Sequence, residues 1–157
     1  MNNNYLNIYN NLIKLTRNKK LYLNLKKDDT FSDRLIFLFF HLAFFLKHFK
    51  SSIPPKELQH LFDFIIRQIE LSIREIGYGD VSVNKKMKDY VNLFYLILEK
   101  IETWDNKDKS SKMALIAEFI NIKDNSVFFI SYFDKYRDFL LNNPLKIFTK
   151  DIIKIKF

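Results

Sequence analysis

The chain has 157 residues, a formal net charge of +8, two glycines, three prolines and no cysteine. That length buries one ordinary core without staples, and the missing cysteines exclude disulfides and thiol catalysis. So few turn formers beside 48% hydrophobic and 17% aromatic residues argue against a sheet-rich fold.

The first helix is expected over about Tyr5 to Leu15, where Tyr5, Ile8, Tyr9, Leu12 and Leu15 recur at helical spacing. A basic connector follows, with Arg17, Lys19, Lys20, Lys26 and Lys27. Leu21, Leu23 and Leu25 alternate within it, which suggests a short extended piece. Residues 1–27 contain no Asp or Glu. Thr30-Phe31-Ser32-Asp33 reads as a capping box opening a second helix that runs to about Lys50. Leu35 to Leu46 is apolar nearly all round, so this helix is expected to be central. The apolar run Leu35 to Leu46 is too short to span a bilayer, at roughly 18 Å against a hydrocarbon thickness of about 30 Å. Arg34, His41 and His48 are spaced by seven residues, which places them on one narrow polar stripe.

Pro54-Pro55 opens the third helix, which runs to Ile76. Its buried stripe is Leu58, Leu61, Phe62, Ile65, Ile69, Ile73 and Ile76, with Asp63–Arg67 and Glu70–Arg74 as i,i+4 ion pairs. Gly77 is placed as its left-handed cap. The fourth helix is expected from about Val83 to Trp104, with Met87, Tyr90, Val91, Phe94, Leu98 and Ile101 facing the core. It opens with Lys85, Lys86 and Lys88, where the helix dipole penalises positive charge. A polar loop over 105–111, a fifth helix over about 111–121 and a sixth over about 126–141 follow, before Asn142-Asn143-Pro144. The tail, residues 153–157, alternates in the manner of a strand. The expected architecture is all-α: one compact domain over 1–157, about six helices and a short extended C-terminal tail.

Catalytic constellations are poorly supported. No Gly-x-Ser-x-Gly motif and no phosphate-cradling glycine loop is present, and Gly77-Tyr78-Gly79 follows a helix rather than a strand. His41 and His48 stand two turns apart, about 10 Å along the axis, too far to share a metal ion. No cofactor is expected. The basicity points to nucleic acid, ribosome or anionic membrane as partner. Arginine supplies only Arg17, Arg34, Arg67, Arg74 and Arg137, however, and abundant Lys, Asn, Ile and Phe also follow from an AT-rich genome. The Phe-rich second helix reads as a core helix, or as an apolar groove offering Phe37, Phe40 and Phe44 to a hydrophobic partner helix.

Several segments carry a family resemblance. Leu61-Phe62-Asp63, Ile69-Glu70, Arg74-Glu75-Ile76-Gly77-Tyr78-Gly79-Asp80, Val83-Asn84-Lys85-Lys86-Met87-Lys88 and Phe94-Tyr95 stand in that order. They resemble the ubiquinol–cytochrome c chaperone family of assembly factors for the cytochrome bc complex (respiratory complex III). That family typically reads Leu-Phe-Asp, then Arg-Glu-Met-Gly-Val-Gly-Asp, then Val-Pro-Lys-Lys-Met-Lys at the same spacing. Asn84 departs from the family's helix-starting proline. Upstream, Tyr9, Arg17, Tyr22, Asp29-Thr30, Asp33-Arg34 and Leu38 to His41 look like its N-terminal half. Beyond about residue 105 only length and helical pattern are similar.

The resemblance implies binding without catalysis. The client would be newly made cytochrome b, and further contacts would be the ribosome exit region or an anionic membrane surface. No small-molecule substrate is implied. The implied location is cytoplasmic and peripheral to the inner membrane, or the matrix side in a mitochondrion. The match begins near residue 5 and leaves little room for a transit peptide, which favours the bacterial form. The expected partner-binding residues are Arg34, Phe37, Phe40, His41, Phe44, Arg74, Tyr78, Asp80, Lys85, Lys86 and Lys88, with Phe37, Phe40 and Phe44 assigned to an apolar groove and the three lysines to a basic rim. A basic RNA- or ribosome-binding helical protein is the alternative.

Overall fold

Thr30 starts the helix around which the rest is arranged. In the computed structural model its hydroxyl accepts from the Asp33 N–H, while the Asp33 carboxylate accepts from the Thr30 N–H, the reciprocal pair expected of a capping box. Residues 2–26, 30–123, 127–150, 152–154 and 157 are described. They form α1 (Asn2–Thr16), α2 (Lys19–Leu23), α3 (Phe31–Phe49), α4 (Pro55–Ile76), α5 (Asp80–Glu102), a 3-10 turn (Trp104–Asn106), α6 (Lys109–Phe119), α7 (Phe128–Asn142) and α8 (Lys146–Lys150).

α3 buries an unbroken run from Phe37 to Leu46. A helix apolar on every side needs neighbours on every side, and α1, α5 and α7 provide them. α4 packs on α1 and α5, α6 on α7, and α8 on α1. The aromatic heart lies between α3 and α7. Phe44 stacks on Phe133 with ring centroids 5.5 Å apart and planes at 7°, and meets Trp104 edge-on at 5.3 Å. Such pairs add about 0.5–1.5 kcal/mol beyond area burial.

The all-α class stands, and six of the helices are those expected from periodicity. α2 and α8 are additional, each of five residues. The connector expected to be extended is helical over Lys19–Leu23 because Leu21 is drawn fully into the core. Only Leu25 pairs as a strand residue, in one antiparallel bridge to Ile122. Among the described tail residues no strand forms; Ile153 is buried and donates its N–H to Asn11 Oδ1 at 3.0 Å. Lys27, Asp29, Ser126, Ile155 and Lys156, to which expectations were attached, lie outside the described residues.

Some local expectations need correcting. Ile76 is not in the α4 stripe but is exposed at the helix end. Arg67 pairs with Glu70 at i,i+3 and 2.8 Å, and Asp63 accepts from Gln59, so the Asp63–Arg67 pair does not form. Glu70–Arg74 does form, at 3.1 Å. α5 begins at Asp80, before the expected Val83. An acid therefore occupies its first turn, and the lysines stand deeper in the helix, where the dipole's penalty has faded.

Gly77 caps α4 in the left-handed region, at φ 107° and ψ 13°. A Cβ there would meet no heavy atom within 4 Å, so substitution is strained through the backbone alone. Gly77→Ala should cost about 1–2 kcal/mol, measured as a lower urea midpoint with unchanged slope; an unshifted midpoint would refute the strain.

Candidate functional site

Four of the five expected partner-binding residues on α3 are interior. Phe37, Phe40, His41 and Phe44 are each at most 2% exposed. This corrects the groove reading: with helices on all sides, these side chains present no surface to a partner in this conformation. The polar stripe is corrected too, since Arg34 is exposed, His48 half-buried and His41 at 0% exposure.

His41 is a satisfied core histidine. Its Nδ1 lies 2.6 Å from the Phe37 carbonyl and its Nε2 2.6 Å from the Tyr132 hydroxyl. A carbonyl only accepts, so Nδ1 carries the proton. Burial lowers the His41 pKa to about 4 against the raising effect of the Phe37 bond, so the ring is neutral and Nε2 accepts from Tyr132. Tyr136 donates to the His41 carbonyl at 2.9 Å. Burial raises the pKa of both tyrosines, which keeps them as donors. The most perturbed groups thus satisfy one another inside the fold.

Six of the other seven expected residues, all but Arg34, gather at the α4–α5 corner. Arg74, one turn from the end of α4, donates to Glu70 and to Asp80, the first residue of α5. The arginine thereby ties the two helices across the Gly77-Tyr78-Gly79 turn. Tyr78 is exposed, with Lys86 Nζ 4.5 Å from its ring centroid, a cation–π contact. Lys85 and Lys88 are exposed beyond it. Ile76 and Tyr78 are exposed at this corner, and Val81 is 86% exposed. The corner therefore combines bare apolar side chains with three lysines, around a turn bridged by the Arg74 ion pairs. Sequence reasoning missed Ile76 and Val81 as surface residues; a helix starting at Asp80 would have placed Val81 in its outward first turn.

A groove of about 510 Å³ opens elsewhere, between α1, α2, α3 and α4. Arg34 borders it with Arg17 and Lys19, and Ile13, Leu35, Leu38 and Ile69 form its apolar wall. Tyr22 donates to the Thr16 carbonyl at 2.6 Å beside it. Arg34 thus belongs to a second basic feature, lined by residues other than those of the α4–α5 corner. Among the described residues no three His, Asp or Glu side chains gather as a metal-ligand set, and no helix is long and apolar enough to cross a membrane.

A sequence profile described as Ubiquinol-cytochrome C chaperone matches residues 24–118. The fold is similar to the crystal structure of the Cbp3 homolog from Brucella abortus, with a TM-score of 0.77 and 23% identity over 97% of this chain and 88% of that one. Among curated proteins none matches. The profile spans α3, α4, α5 and nearly all of α6, and so includes the whole α4–α5 corner.

Proposed function

Because the chain belongs to the ubiquinol–cytochrome c chaperone family, we propose that it is a non-enzymatic chaperone that holds newly made cytochrome b during assembly of the ubiquinol–cytochrome c reductase (complex III). The single observation that supports a holding role is the α4–α5 corner. Ile76, Tyr78 and Val81 are bare there beside Lys85, Lys86 and Lys88. A membrane protein awaiting its partners exposes apolar spans and faces anionic headgroups. Apolar side chains meet the first and ammonium groups the second. Arg74 and Asp80 bridge the two helices across this turn and so act as positioning residues for the corner.

A binding role without catalysis also suits the interior location of the strongly shifted groups, since His41, Tyr132 and Tyr136 are sealed from any substrate. We place the action at the inner membrane's cytoplasmic face, or its matrix face in a mitochondrion, with residues 1–157 acting as one unit. Support for that unit comes from outside the 24–118 match, where Asn7 and Asn11 of α1 donate to the carbonyls of Thr149 and Phe148.

The test reverses charge at the corner. Lys85→Glu, Lys86→Glu and Lys88→Glu together should reduce capture of cytochrome b by roughly tenfold, at about 0.5 kcal/mol per surface contact. Capture is read by co-purification from native membranes, with helicity checked by circular dichroism. Unchanged capture would reject the corner. Salt-dependent RNA binding lost in the same variant would favour a ribosomal partner instead.

A further inference from the structure

We propose that the groove between α1–α2 and α3–α4 binds a small amphiphile with one anionic head and a single apolar chain, of the class of long-chain acyl carboxylates. The site is lined by residues other than those of the α4–α5 corner and does not depend on the client reading.

Three observations carry it. The first is charge. Arg17 and Lys19 are exposed at the border of this groove, between it and a neighbouring one lined by Leu15, Ile153 and Phe157, and make no ion pair among the described residues; Arg34 also borders the groove. No acid stands near Arg17 and Lys19 in sequence, because residues 1–27 contain no Asp or Glu; Glu75, from the end of α4, is a carboxylate within electrostatic reach of the groove's Tyr9. Two exposed cations over one opening attract an anion, and each strengthens the field of the other. The second is the wall. Ile13, Leu35, Leu38 and Ile69 give the cavity an apolar interior behind its charged mouth. The hydroxyls of Thr16 and Ser72 are already committed to backbone carbonyls, at 2.7 Å and 3.0 Å, so they ask nothing of a ligand's tail. The third is size. A volume of about 510 Å³ falls in the range of small-ligand clefts. A helix about 10 Å across would fit it for only about one turn. An apolar helix of a client is thereby too large for this groove, whereas one acyl chain is not.

Titration of monomeric laurate into the intact protein, read by calorimetry, tests the site beside methyl laurate and dodecyltrimethylammonium at equal chain length. Laurate should bind with one-to-one stoichiometry, and the uncharged ester and the cation should each bind at least about tenfold more weakly. The Arg17→Glu/Lys19→Glu variant should lose about tenfold or more for laurate, while the Lys85→Glu/Lys86→Glu/Lys88→Glu variant should match the parent protein. Because both cations are exposed, the double variant should keep its thermal midpoint, which is measured alongside. Equal affinity for acid and ester, or an unaffected double variant, would overturn the proposal. Binding to phosphatidylglycerol vesicles without any binding of monomeric laurate would also overturn it, and would assign these cations to a membrane face.

Discussion

Phe44→Ala should remove roughly 3–5 kcal/mol of folding stability, the usual cost of deleting a large buried aromatic and leaving its cavity. Phe44 is 2% exposed and touches three other rings: Phe133 stacked at 5.5 Å, Trp104 edge-on at 5.3 Å and Tyr136 edge-on at 6.0 Å. Two of those partners are themselves pinned. Trp104 Nε1 donates to Asp134 at 2.9 Å, and Tyr136 donates to the His41 carbonyl. A core fixed by hydrogen bonds collapses poorly into a void, which favours the upper part of the range. Urea denaturation measures the loss. Because Phe44 is interior, client capture per folded molecule should not change. A variant of unaltered stability that failed to capture client would return Phe44 to the binding surface and contradict its placement.

Stability should also fall as pH drops from about 6.5 to about 4, through His41. Its pKa lies at 6.5 when solvated and at about 4 when buried. In that window the unfolded chain takes up a proton that the folded chain refuses, so acid favours unfolding. The gap corresponds to about 3 kcal/mol at ~1.4 kcal/mol per pH unit. The contribution is intact above 6.5 and fully lost below about 4. His48, lowered in pKa by partial burial, acts with the same sign. Carboxylates respond lower on the scale. Glu70, held down by Arg67 and then Arg74, and Asp108, held down by the Ser111 N–H, lose stabilisation only as pH falls below the ordinary carboxylate range of about 4.5. Urea midpoints of the parent and of His41→Gln separate these effects. The parent should show a slope between pH 6.5 and 4.5 that the variant largely lacks. Parallel profiles would mean that His41 titrates normally and is not sealed.

The helices that periodicity predicts are those whose own pattern determines them. α3 and α4 carry their start and stop signals in the chain: Thr30 with Asp33, Pro55 in the first turn and Gly77 past the end. α2 has an Asn18 cap, whose side chain accepts from the Lys20 N–H, but neither α2 nor α8 is long enough to show an apolar stripe. Five residues cannot repay helix nucleation alone, and these segments are shaped by burial of Leu21 and Phe148 from elsewhere in the fold. The site was legible in the same uneven way. The lysines and Tyr78 sit in a turn-flanked motif whose exposure follows from its polarity. The α3 aromatics did not reveal their position, because an all-apolar helix reads alike whether it lines a groove or fills a core. Arg17 and Lys19 were visible only as connector charge; their meeting with Ile69 across α4 is a matter of packing.

The buried amide of Asn11 joins two distant parts of the chain, donating to the Phe148 carbonyl at 2.8 Å and accepting from the Ile153 N–H at 3.0 Å. During synthesis α1 leaves the ribosome long before either of those partners exists. Until they arrive, Asn11 must stay hydrated or remain unpaired, and contacts this far apart in sequence close slowly. A protein proposed to guard unfinished polypeptides therefore spends most of its own birth incomplete, with its first helix waiting for a clasp that translation delivers late.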